Sequence, residues 1–295
     1  MRRLCWVVLA IGCDRGANPP SPAPSSAPPA SASVRSAAPA LTAGATLPLG
    51  NAPCRALRVS GDARTGSGAP IASMAPLDGA TFVDLADGAE LVVRHAQSAR
   101  ELVLLGPGRA LPCRDGTEQV ILAAGGLRSV PGTGLRPGAE VWIGTPYGAF
   151  RYADAELSLR VEQERAQLDL GRGDVWVDAG PGVRGLPADG RLRGKQRATA
   201  SNAPEPSAWV GECEARANEA SAGAELVLSG GHGSLGERAQ RQLLQRRRAR
   251  GACSAALAAL QRVEEGALRA RLGDQISAAD RRWQAVPKPA SARRQ

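Results

Sequence analysis

Between Leu127 and Asp178 the chain is interrupted every few residues by Gly, Pro or Asp, and what lies between the interruptions alternates. Glu140-Val141-Trp142-Ile143, Glu156-Leu157-Ser158-Leu159-Arg160-Val161, Gln167-Leu168-Asp169-Leu170 and Asp174-Val175-Trp176-Val177-Asp178 each put aliphatics on one face with a period of two. Segments this short and this patterned cannot bury a helical stripe, whereas they suit a meander of half-buried strands. An all-β module, a sandwich or a stacked roll, is therefore expected here.

The same stretch carries a family resemblance. Thr145-Pro146-x-Gly148, then Arg151-Tyr152-x-Asp154-Ala155 and a closing Leu170 to Val177 segment, look like the second half of a FecR-type domain. Upstream, Val83-Asp84-Leu85-Ala86-Asp87-Gly88-Ala89-Glu90-Leu91-Val92-Val93 is similar to the strand, Asp-Gly turn, strand hairpin of that family's first half. The resemblance runs from about Asp62 to Gly180. It implies an extracytoplasmic β domain that works by contacting other proteins, often as a relay between an outer-membrane receptor and a sigma factor. Regulators of this type carry an anti-sigma segment and a membrane-spanning helix ahead of the domain. Neither pattern is read before Cys54, so the sigma-factor role is not carried over.

What precedes Cys54 reads differently. Two arginines, an apolar run from Leu4 to Ile11 and Gly12-Cys13 follow the grammar of a secretory signal. The run resembles a bacterial lipobox with Ala10 where Leu is usual, which makes Cys13 the expected lipidation site. An ordinary cleaved signal with an incidental cysteine is the other reading. A bilayer span needs about 20 apolar residues, more than this run supplies. From Asp14 to Asn51 the chain is almost all Pro, Ala, Ser and Gly, with too little apolar surface to offset ordering, so a solvated tether is expected.

Cysteine usage fits export. Apart from Cys5 and Cys13, Cys54, Cys113, Cys213 and Cys253 remain, with no Cys-x-x-Cys spacing. Cys213 and Cys253 are equidistant from the Ser229 to Ser234 turn between two helical segments. Antiparallel helices place such positions opposite each other, so these two are expected to bond, which leaves Cys54 to pair with Cys113.

From Ser207 the apolar period lengthens to about 3.6. Trp209, Cys213, Ala217, Ala220, Ala224 and Leu228 define one helical face. Leu235, Ala239, Leu243, Ala249, Cys253, Ala256, Leu260 and Val263 define a second, opened by Ser234 with Glu237 at capping-box spacing. A third helix is expected over Leu268 to Trp283. The narrow Ala-rich faces call for close packing on one another or on the β module.

Charge is unevenly placed. The chain is +9 overall, but residues 55–180 carry 13 Arg against 16 acids, and residues 181–295 carry 20 basic against 11 acidic. The excess gathers at Arg191 to Arg197 and at Arg246, Arg247, Arg248 and Arg250. Such a face suits an anionic surface, either lipid headgroups or an acidic cell-wall polymer, or it is simply solvated. Nucleic acid is not an expected partner, because no aromatic stacking residues are interleaved with the arginines.

Catalytic and metal patterns are not evident. The histidines, His95 and His232, fall in different predicted modules, no Cys/His cluster has zinc spacing, and neither a nucleophile elbow nor a phosphate loop is present. No cofactor or metal and no enzymatic activity are expected. Period two puts Trp142 and Trp176 on the face opposite the aliphatics. They would form either a binding platform or the packing surface for the helices.

The reading as a whole is an α+β envelope lipoprotein. Its expected parts are a signal at 1–12, a lipid-anchored linker at 13–53, the FecR-like β domain at 54–180 and a basic linker at 181–206. A helical segment at 207–286 and a disordered tail at 287–295 complete it. Its expected partners are the membrane, through the lipid, and either an envelope protein or an anionic wall polymer.

Overall fold

The structure is a computed structural model that describes residues 54–95, 100–114, 118–129, 140–187, 190–228 and 234–286. The expected signal, Cys13, the linker, the turn at 229–233 with His232 and the tail at 287–295 lie outside the described residues. The chain divides into two compact units, and every described residue belongs to Leu47–Gln295.

Thirteen strands are described: β1 Cys54–Ser60, β2 Ala63–Thr65, β3 Pro76–Leu77, β4 Val83–Leu85, β5 Glu90–His95, β6 Glu101–Leu111 and β7 Gln119–Ser129, followed by β8 Val141–Thr145, β9 Gly148–Tyr152, β10 Ala155–Val161, β11 Arg165–Ala179, β12 Arg191–Arg193 and β13 Arg197–Ser201. Three helices follow, α1 Pro206–Leu228, α2 Leu235–Leu260 and α3 Gly266–Ala285. The fold is mixed, mostly strand, with the helices at the C-terminal end.

The sheet is closed. Its path runs β10-β11-β9-β8-β7-β6-β5-β1-β3, and β10 also pairs with β7. One edge of β7 is shared, with Gln119 to Ile121 on β8 and Gly125 to Ser129 on β10. β11 divides in the same way between β10 and β9. The ring β7-β8-β9-β11-β10 is a roll filled by Val141, Ile143, Phe150, Tyr152, Leu157, Leu159, Leu168 and Val175. On β10 the alternation is complete, with Ala155, Leu157, Leu159 and Val161 inside and Glu156, Ser158 and Arg160 outside.

The roll differs from a meander in several respects. β7 and β8 are parallel, so these two consecutive strands are not a hairpin. The strands expected at 167–170 and 174–178 are parts of one 15-residue strand, β11, because Gly171 and Gly173 bend it without ending it. Gly173 takes φ +90, where a Cβ would lie 2.3 Å from the Asp154 carbonyl oxygen. β4 and β5 do not pair with each other. Both lie along β6, β5 against Glu101 to Leu105 and β4 against Gly108 to Ala110, with the Asp87-Gly88 turn between them. The segment expected as a basic linker supplies β12 and β13, which cover the other edge of β11.

The helices follow their apolar faces. Trp209, Cys213, Ala217 and Ala220 of α1 meet Ala249, Cys253, Ala256 and Leu260 of α2, and Leu272, Ile276 and Ala279 of α3 close the cluster. Pro206 opens α1 at a position where its missing N–H costs nothing. Ser234 and Glu237 make a complete capping box on α2. Leu243, expected on the buried face, is 44% exposed, and Gln242 takes the inward position. The six residues from Leu243 to Ala249 turn the helix by about one and two-thirds turns, so the two cannot share a face.

The helical layer lies on the roll. Small residues permit it: a Cβ on Gly144 of β8 would sit 2.5 Å from the Ser254 Cβ, and one on Gly251 of α2 would sit 3.2 Å from the Ala149 Cβ. Leu111 and Ile121 pack against Ala258 at the same seam. The Trp209 indole N–H donates to the Pro146 carbonyl at 2.8 Å. Both disulfides are formed, Cys54 with Cys113 inside the β module and Cys213 with Cys253 between α1 and α2.

Candidate binding surfaces

β8 and β11 alternate as expected, and the faces they turn away from the roll core carry Trp142 and Trp176. α2 crosses that face. Trp142 is therefore buried, 3% exposed, and Trp176 is half-buried, so the two indoles do not form an open platform. They belong instead to a stack that alternates cation and ring. Arg250 lies 5.3 Å from the Trp142 ring, and Arg151 lies 5.6 Å from Trp142 and 4.6 Å from Trp176. Arg191 lies 5.2 Å from the Trp176 ring. Each guanidinium over an indole face gains from the ring quadrupole, more so when water is excluded.

Carboxylates and amides fix the stack. Glu140 accepts from Arg151 at 3.1 Å and from Arg247 at 3.0 Å, joining the roll to α2. Asp174 accepts from Arg191 at 2.7 Å. The Arg250 Nε donates to Gln119 at 2.9 Å, Gln119 donates to Ser254 Oγ, and Ser254 donates to the Arg250 carbonyl at 2.6 Å. Beside this seam, burial raises the pKa of the Asp178 carboxyl, and the nearby Arg151, Arg248 and Arg216 pull it back down.

The arginine run is thus divided among separate tasks. Arg246 turns away from the stack, donates to the Val286 carbonyl and lies 5.7 Å from the Trp283 ring, and its burial lowers its pKa. Arg250 clamps α2 to β7 and Arg247 clamps it to Glu140, just ahead of β8, and Arg248 is exposed. Trp142, Trp176, Arg247, Arg248 and Arg250 are brought to one seam, and Arg246 is not. Arg151 and Arg191, the other cations of the stack, are not among the binding residues expected from the sequence. Arg151 follows Trp142 only through the β8–β9 register, in which the two are directly opposed.

His95 stands apart from any cluster. Its ring is 2% exposed, and its approach to the Pro112 carbonyl falls short of good hydrogen-bond geometry. Burial first, then the Arg100 charge, lower its pKa to about 4, and the Pro112 carbonyl is a weaker opposing influence. Burial likewise pushes the Tyr152 phenol up to about 12. Among the described residues no group of His, Cys, Asp and Glu could hold a metal ion, and no helix is long and apolar enough to cross a membrane.

A cleft of about 980 Å³ opens where the β10–β11 turn, the β13–α1 connection and the α2–α3 corner meet. Half-buried Ala203, Pro204 and Val263 line it together with exposed Glu205, Glu264 and Glu265. Arg262, at its edge, donates to the Glu162 and Gln163 carbonyls at 2.8 and 3.1 Å and covers the Tyr147 ring, so it closes the turn and does not point to a ligand.

No protein-family model matches the chain, and no curated protein sequence matches it. Among solved structures, two crystal structures of a proposed anti-sigma factor from Parabacteroides distasonis ATCC 8503 show weak similarity. One, at 1.65 Å resolution, is 15% identical with a TM-score of 0.32, and the other, at 2.50 Å, is 14% identical with the same TM-score. Each match covers 41% of this chain and 55% of the other, so the likeness spans about half of that protein's length.

Proposed function

We propose that this chain is a non-catalytic protein of the cell envelope, anchored by a lipid on Cys13, whose FecR-like roll binds a protein partner in envelope signalling. The observation that carries the reading is the way roll and helices are locked into one body. A disulfide staples each part internally, and a buried ion pair between Arg114 and Asp280 and the arginine–tryptophan stack join the two. A body built this way offers a rigid outer surface for docking, which suits recognition with little backbone change. The solvent side of β10 and β12, with Glu156, Arg160 and Arg193 exposed, is open for such contact.

The rival reading, a wall-polymer binder acting through the basic helical segment, is weakened because Arg246, Arg247 and Arg250 hold α2 in place. Photo-crosslinkers at Arg160 and at Arg193 in intact cells should give a discrete protein adduct. Absence of that adduct, with salt-sensitive co-sedimentation on peptidoglycan, would transfer the function to the rival. Metabolic fatty-acid labelling that survives Cys13→Ala would move the lipid off Cys13, and a parent that takes up no label would remove the anchor from the account.

A further inference from the structure

α2 has two dissimilar halves. From Ala249 onward it is buried between α1, α3 and the roll, whereas between Gly236 and Arg248 most of its surface faces solvent. In that outer half Leu243 and Leu244 are 44% and 46% exposed. Met74 is the other large apolar side chain exposed to this degree among the described residues. A helix advances about 100° per residue, so Glu237, Arg241 and Arg248 fall on one side of Leu244, and Gln240 and Arg247 on the other. Leu243 flanks the second group. All seven residues are exposed and lie within an arc of about 160°.

We infer that this outer face of α2 is a docking surface for an anionic lipid bilayer. The strip combines two apolar tips with a collar in which Arg241, Arg247 and Arg248 outnumber Glu237 and the Glu140 that pairs with Arg247. Arg247 remains 45% exposed despite its pairing with Glu140. Guanidinium groups on long stems reach the phosphate level while the leucines enter the acyl boundary. Charge complementarity selects the partner, since the surface of an anionic leaflet attracts such residues within a Debye length. Shape favours the same choice. The strip is convex, about 20 Å long and one helix wide, well short of the roughly 800 Å² per partner that a stable protein interface buries. A bilayer needs no groove and conforms to a single helix. This surface is separate from the roll surface proposed for a protein partner, so either can hold without the other.

The inference is tested with the full chain carrying Cys13→Ala, so that an acyl group cannot hold it to lipid. Flotation is run with vesicles of phosphatidylcholine alone and of phosphatidylcholine with phosphatidylglycerol. Binding is expected on the anionic vesicles and to fall steeply between 50 and about 300 mM salt, as screening shortens the reach of the arginines. Arg248→Glu should weaken it by at least about fivefold, the equivalent of one basic residue near an anionic surface. Leu243→Ser with Leu244→Ser should abolish it while circular dichroism and disulfide content stay unchanged, because both positions are exposed. Equal binding to neutral vesicles, no binding to either at low salt, or full binding by the leucine variant would overturn the inference. A photo-crosslinker at Leu244 that captures one acidic protein in cells, with no vesicle binding, would replace the bilayer with that protein.

Discussion

Arg114 and Asp280 meet at 2.5 Å with each side chain only 9% exposed, joining the segment just after β6 to the last helix. The carboxylate is well supplied, since it also accepts from the Trp283 indole N–H at 2.8 Å and from Gln284 at 2.7 Å. A buried pair is costly to desolvate, so its net worth is modest, but removing one member strands the other. Asp280→Ala is expected to lower unfolding free energy by about 3–5 kcal/mol. The double replacement Arg114→Met with Asp280→Leu should recover most of that loss. Urea denaturation of the three proteins checks both statements, and equal losses in the single and double variants would show that the pair itself is not the cause.

Gly144 and Gly211 make a contrasting pair. A Cβ on Gly144 meets the Ser254 Cβ at 2.5 Å and its carbonyl carbon at 2.6 Å, both fixed to the α2 backbone. Nothing lies within 4 Å of a Cβ on Gly211, an exposed position in α1. Gly144→Ala should therefore force α2 off β8 and cost about 1–3 kcal/mol or more. Gly211→Ala should add about 1 kcal/mol through helix propensity and lost unfolded-state freedom. Thermal melts give the signs, and near-ultraviolet dichroism of Trp142 should change only in the Gly144 variant.

These glycines mark the limit of what the sequence shows. Period-two patterning identified β8 and β10, period 3.6 identified the three helices, and the Ser234–Glu237 spacing identified a real cap, because each is a local preference written in neighbouring residues. The parallel β7–β8 pairing and the sharing of one β7 edge between β8 and β10 are long-range choices with no local sign. Leu243 misled because its hydrophobicity was counted and its angle was not. Trp142 could be assigned to the outer sheet face, but only the docking of α2 through Gly144 and Gly251 decides that it is buried. Arg151 stands in a recognisable motif, but nothing local ties it to the indoles, since its place beside both depends on the β8–β9 and β9–β11 registers together.

The Cys213–Cys253 bond closes a loop of 40 residues between α1 and α2. In the chain-entropy account a loop of that size contributes about 4 kcal/mol by restricting the unfolded chain. Cys213→Ala with Cys253→Ala should fold at 25 °C, because Ala249, Ala256 and Ala217 still pack around the site, but melt well below the parent. In the parent, reductant should lower the melting temperature in two steps if the Cys54–Cys113 bond is reduced separately. Melting unaffected by the double replacement would mean that packing alone holds α1 on α2.

His95 ties stability to pH. It pairs with Cys54 in the β1–β5 register, and its backbone N–H donates to the Arg100 carbonyl at 3.0 Å, so its ring is fixed in a buried site beside a permanent charge. The folded pKa of about 4 lies below the ordinary 6.5. Between those values the unfolded chain takes up a proton that the folded chain refuses, so stability rises with pH across that window. Above about pH 6.5 the contribution is complete and flat. Down to pH 4 the loss approaches about 3 kcal/mol at 1.36 kcal/mol per unit. His95→Phe keeps the bulk without the proton site and should remove this slope. Asp78 and Asp169, whose hydrogen bonds hold their carboxyls below the usual range, lose their stabilisation only at more acidic pH. Urea midpoints at pH 7.5, 6.0 and 4.5 for parent and variant isolate the histidine as the difference between the two curves, and parallel curves would assign the acid sensitivity to other groups.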